Sequence, residues 1–208
     1  MMRSVEHAVG RVRAWDLATD LLAAYIGAVT VVVVLQHVAG LPDAAPLAAS
    51  PAKLAAGRVW TLLTSGLVVD GNPAPQLGAT AALAAAAVHF RGAKTFWAAA
   101  LAGHVGSTLI AYAGVGAAWL VDPGSVAHVV HEPDYGISCV WAAALGASAS
   151  GAFLARRRCW PLIVAASVSV LAAVTAFSNG IAEVEHVLAW LIGAAVVAVA
   201  TPRYAAGS

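Results

Sequence analysis

Residues 21–38 read LLAAYIGAVTVVVVLQHV, a run with no Asp, Glu, Lys or Arg. A helix needs about 20 mostly apolar residues to cross the hydrocarbon core of a bilayer, and slightly shorter runs are accommodated by tilt or thinning. Gly40 and Pro42 end this run, and Arg3, Arg11 and Arg13 precede it. It exceeds the usual core of a signal peptide, and no small-residue cleavage site follows closely. An uncleaved first span is therefore expected.

The whole chain has the same character. Of its 208 residues, 61% are hydrophobic and 10% are charged, against about 25% charged in soluble domains. A net charge of +1 gives no surplus of Lys and Arg to neutralise phosphates, so nucleic acid is not an expected partner. High hydrophobicity with little net charge also excludes a disordered chain. The two cysteines, Cys139 and Cys159, are read as free thiols, since a helix between them would hold them about 30 Å apart.

Five more apolar runs are expected as spans, at 75–90, 95–120, 136–154, 160–177 and 181–200. Pro73 and Pro75 suit the first turn of the second span, and Pro202 closes the last. The sequence thus predicts an all-α integral membrane protein with six transmembrane helices in residues 21–201. A basic segment 1–20 precedes them and a short tail 202–208 follows. Six spans place Arg3, Arg11, Arg13, Arg91, Lys94, Arg156, Arg157, Arg158 and Arg203 on one side and only Lys53 and Arg58 on the other. The excess of Lys and Arg marks the cytoplasmic face, so both termini are expected there, in a multi-pass protein of the cell (plasma) membrane. The abundant Gly, Ala and Ser suit close helix packing. The connection 54–69, LAAGRVWTLLTSGLVV, is too polar to span and too apolar to sit in water; Trp60 and Arg58 suit an interfacial position.

Ionisable and polar groups within spans are costly, so each is a candidate site. His37 and His89 sit at span ends, and His104 lies deeper. His128, His131, Glu132 and Asp134 share one connection, but Pro123, Gly124 and Pro133 argue against a continuous helix presenting both histidines. No metal or organic cofactor is expected. Ser138 and His186 are more informative. Each lies near the start of a span running in the same direction, at depths agreeing within about 5 Å. A serine hydroxyl becomes a nucleophile when an adjacent base takes its proton, and neutral histidine suits that task. A helix start also supplies backbone N–H groups for a developing oxyanion. Ala189 and Gly193 continue the His186 face, while Gly136, Ala142, Ala143 and Gly146 keep the opposing helix slim.

In these residues the chain resembles the rhomboid family of intramembrane serine proteases. Gly136-Ile137-Ser138-Cys139 is similar to that family's GxSG motif, with Cys139 at the second glycine. Glu185-His186-Val187-Leu188-Ala189, continuing to Gly193, is similar to its histidine motif, with Glu185 for Ala and Ala189 at the first glycine. Gly146 matches a small residue of the family's fourth helix, and the stretch from Arg58 to Thr64 resembles the segment ahead of helix two. The helix-two histidine of many active members is missing; Gln76 and Thr80 hold the corresponding four-residue spacing.

The resemblance implies a six-helix rhomboid-like bundle acting as a serine endopeptidase, a hydrolase of transmembrane proteins. Ser138 would attack the scissile carbonyl and His186 would act as base and then acid. Gly136, Cys139, Gln76 and Thr80 would form the oxyanion and substrate site, and Gly146, Ala189 and Gly193 the packing beside it. No cofactor is implied, and the partners would be transmembrane substrates and the lipid bilayer. Two other readings stay open: a non-catalytic rhomboid-like protein that binds transmembrane partners, and a small transporter.

Overall fold

The computed structural model describes residues 17–37, 45–69, 72–177 and 180–200. Of the topological signals, Arg3, Arg11, Arg13 and Arg203 lie outside these residues, as does most of segment 1–20 and tail 202–208. Nine α-helices form among the described residues. They are α1 (Leu17–His37), α2 (Pro51–Ala55), α3 (Thr61–Thr64), α4 (Pro73–Arg91), α5 (Ala93–Val121), α6 (Pro123–Val130), α7 (Ile137–Leu154), α8 (Trp160–Phe177) and α9 (Ile181–Ala200). A 3₁₀ turn, Ser65–Leu67, follows α3.

Local chemistry sets several boundaries. The Asn72 side chain accepts the Ala74 N–H at 3.2 Å, and Pro73 occupies the first turn of α4. Gly92, at φ +83°, lets the chain turn from α4 into α5 with no room for linker residues. Asp122 accepts the Gly124 N–H at 3.0 Å and opens α6. Pro123 and Gly124 sit in its first turn, where proline lacks only a hydrogen bond that would be unmade anyway. His128 lies on this helix and His131 just beyond it, both exposed. Among the described residues, no group of three or more His, Cys, Asp or Glu side chains is arranged to hold a metal.

Helices α5, α7 and α9 form the centre. The contacts Ser138–His186 and Gly146–Ala194 keep one sequence offset, so α7 and α9 run parallel. The pairs Gly103–Ala143 and Tyr112–Asp134 run in opposite order, so α5 is antiparallel to α7. Helix α8 returns the chain between the two parallel helices. Glycine permits the approach. A Cβ at Gly146 would lie 1.9 Å from the Trp190 carbonyl oxygen, and one at Gly193 2.1 Å from that of Ala143. Gly103 faces Ala143 just as tightly, with 2.3 Å between an added Cβ and the alanine Cβ.

Among the described residues, four helices are long and apolar enough to cross a membrane: Thr19–His37 within α1, then α5, α7 and α9. The six-span architecture is corrected here. Helix α4 spends its 19 residues on Pro, Gln, Thr, His, Arg and many alanines, and alanine adds little apolar surface. The apolar run of α8, Trp160–Ala176, stays below membrane length. Large apolar side chains nonetheless cover the outside of the bundle, among them Leu109, Ile110, Leu162, Val168 and Leu191. Water penalises such a surface and lipid does not. The chain is a multi-pass, membrane-type helical bundle associated with lipid.

Candidate functional site

Ser138 is the second residue of α7 and His186 lies in the second turn of α9. Because the two helices are parallel and close, both side chains reach the same level. Ser138 Oγ lies 2.7 Å from His186 Nε2. With Nε2 unprotonated, the serine hydroxyl donates to it. His186 is buried while Ser138 is half-buried. Trp141, one turn after Ser138, stacks on the imidazole with ring centroids 5.9 Å apart and planes 25° from parallel. It fixes the ring's orientation from the helix that carries the serine.

The backbone before Ser138 is held from below by His104. An added Cβ on Gly136 would lie 1.9 Å from His104 Cε1, so any larger residue would have to displace the imidazole. The Gly136 N–H donates to the Ser65 carbonyl at 3.0 Å, and Ser65 Oγ lies 3.4 Å from His104 Nε2. Tyr25 on α1 donates its hydroxyl to the Gly66 carbonyl at 2.8 Å. The connection 54–69 is thus more than a surface anchor. Thr61, Leu62, Ser65, Val68 and Val69 are buried, while Val59, Trp60 and Leu63 remain exposed.

A buried acid cluster lies beside the pair. Tyr112 donates to Asp134 Oδ2 at 2.9 Å, and Cys139 Sγ lies 3.8 Å from Glu185 Oε2. Asp134 also pairs backbone with Ala49 in both directions, at 3.0 and 2.9 Å. Burial pushes the Asp134 carboxyl above its ordinary range, opposed by Tyr112, His104 and Glu185, which face it. The folded state therefore holds this proton more tightly than the unfolded chain. Its contribution to stability is complete below the ordinary carboxylate pKa and declines as pH rises above it. Asp134→Asn keeps an acceptor for Tyr112 and removes the titration. Its melting temperature should fall less than that of the wild type between about pH 4 and 8; an unchanged slope would assign the effect elsewhere.

The other expected site residues lie on α4, α7 and α9. Thr80 Oγ1 donates to the Gln76 carbonyl of its own helix at 2.8 Å, so its proton is already used. Gln76 lies half-buried in the first turn of α4. The Cys139 N–H donates to the Gly136 carbonyl at 3.0 Å. Gly146, Ala189 and Gly193 lie in the α7–α9 contact, where Ala189 is fully buried. His104, Asp134, Tyr112 and Trp141 were missed as neighbours of the pair. Only Trp141, three residues after Ser138 on one helix face, carried a local signal.

The chain matches no family model, no curated protein and no solved structure. The rhomboid resemblance is corrected on that finding and on the four membrane-length apolar helices found among the described residues, where that architecture has six. The reading as a rhomboid-type serine endopeptidase goes with it, as does the non-catalytic rhomboid-like alternative. Short motifs of glycine, serine and histidine are shared by many closely packed membrane helices, which need small residues and satisfied polar groups for packing alone.

Proposed function

We propose that this lipid-associated helical protein carries a reactive serine, Ser138, with His186 as its proton acceptor. The 2.7 Å contact between Oγ and Nε2 carries the reading. A neutral imidazole at that distance accepts the hydroxyl proton as the oxygen bonds to an electrophile. Stacked Trp141 holds the base in line, and the packed α7–α9 contact prevents the two groups from drifting apart. The chemistry proposed is bond formation at Ser138 Oγ.

The distribution of charge supports an orientation. Arg91, Lys94, Arg156, Arg157 and Arg158 cluster where α4 ends, α5 begins and α7 ends, at the end of the bundle away from Ser138. The positive-inside tendency supports a cytoplasmic position for that end, and so for the start of α1 and the end of α9. Ser138 then opens toward the opposite face of a cell membrane.

The test is labelling of purified protein in detergent with a fluorophosphonate. Mass spectrometry should find the adduct on Ser138 and none in folded Ser138→Ala. Folded wild type that stays unlabelled, or is labelled at another residue alone, would overturn the proposal.

A further inference from the structure

A cleft of about 400 Å³ opens between α4, α7 and α8, at the end of the bundle away from Ser138. Leu83, Leu145, Ile163 and Val170 give it an apolar floor, and Arg91 and Arg157 stand at its mouth. Arg91 packs against the end of α7. A Cβ on Gly151 would lie 1.9 Å from Arg91 Nε, so the guanidinium rests directly against α7 at a position without a side chain. Arg157 lines the same cleft, and burial first and the Arg157 charge second disfavour the charged form of Arg91. Among the described residues, no acidic side chain lines the cleft. Among the described residues, Asp122, Glu132, Asp134, Glu183 and Glu185 all lie toward the Ser138 end, and only Asp20 lies near this one.

Two guanidinium groups that repel one another at the mouth of an apolar cleft are stabilised by an anion shared between them. Arginine forks match phosphate oxygens bidentately. The apolar floor, open at the side of a lipid-covered bundle, takes hydrocarbon. We propose that this cleft binds an anionic phospholipid, its phosphate between Arg91 and Arg157 and an acyl chain along Leu145 and Ile163. Basic pockets between membrane helices, on the side rich in Lys and Arg, select lipid headgroups by the same physics.

The proposal is tested by native mass spectrometry of the full chain released from detergent containing equal phosphatidylglycerol and phosphatidylcholine. The wild type should retain phosphatidylglycerol preferentially. Arg91→Gln with Arg157→Gln should reduce that preference about tenfold or more, at roughly one tenfold step or slightly less for each cation lost. Arg156→Gln with Arg158→Gln removes the same charge from exposed neighbours outside the cleft and should leave most of the preference intact. Equal retention of both lipids by the wild type would overturn the proposal. So would an equal loss in the two double variants, which would show a diffuse surface field. Millimolar inorganic phosphate should not displace the lipid; if it does so as well as a short-chain anionic lipid, the site takes a free anion and the lipid assignment fails. Thermal unfolding of each variant separates loss of binding from loss of fold.

Discussion

Gly146→Val and Gly193→Val should each separate α7 from α9 and abolish the native bundle. An added Cβ at Gly146 would stand 1.9 Å from the Trp190 carbonyl oxygen, and one at Gly193 2.1 Å from that of Ala143. Both obstacles are main-chain atoms in helices, so no rotamer change relieves the overlap. The helices must part by on the order of 1 Å, which forfeits a large share of the dispersion energy along the contact. Overpacking a well-filled core costs about 1–3 kcal/mol where side chains can adjust, and more is expected here. Alanine at either site should already lower the melting temperature, and valine should do so further. Gly114 and Gly116 supply the control, because nothing lies within 4 Å of a Cβ added there. Alanine at those two positions should change stability by no more than about 0.5 kcal/mol. Thermal unfolding in one detergent compares all of them. If Gly146→Ala and Gly114→Ala melt together, the close α7–α9 approach is wrong. The same separation would draw His186 away from Ser138, so labelling of Ser138 should fall with the packing even in a variant that still folds.

His186→Ala should slow fluorophosphonate labelling of Ser138 by about 10²–10⁴-fold, the usual contribution of a positioned general base. The hydroxyl is a poor nucleophile with its proton in place, and at 2.7 Å His186 Nε2 is the group placed to take it. Replacing both residues should leave the protein as unreactive as replacing Ser138 alone, because the histidine acts only through the serine oxygen. Trp141→Leu should have a smaller effect, since it frees the ring to turn without removing the base. Labelling of folded His186→Ala at the wild-type rate would reduce the Ser138–His186 contact to a hydrogen bond between packed helices.

Helix positions were largely legible because membrane helices must satisfy their own backbone and present apolar side chains along their length. The runs 21–38, 136–154 and 181–200 fall on α1, α7 and α9 within a few residues. How many helices match a bilayer was less legible. Residues 75–90 pass as apolar because alanine counts as hydrophobic, yet α4 carries too little apolar surface to qualify. The cap at Asp122 was missed as well, although Asp-Pro-Gly before an apolar stretch is a helix start as much as a turn. The family assignment failed for a different reason. Glycine, serine and histidine at helical spacings report close packing before they report ancestry.

By itself the sequence determined that this chain buries helices in lipid, and that Ser138 and His186 stand near helix starts running the same way. Those properties follow from composition and from helical rise, which are local. Tertiary structure alone decided what surrounds the pair. Trp141 covers the imidazole because α7 and α9 are parallel and in register. His104 supports Gly136 from α5, and Asp134 meets Tyr112 and Ala49 across three separate segments. Thr80 and the Cys139 amide spend their donors on carbonyls four and three residues back along the chain. Contacts between helices depend on rotation and crossing, which vary with each glycine in the interface, and one-dimensional spacing does not encode them.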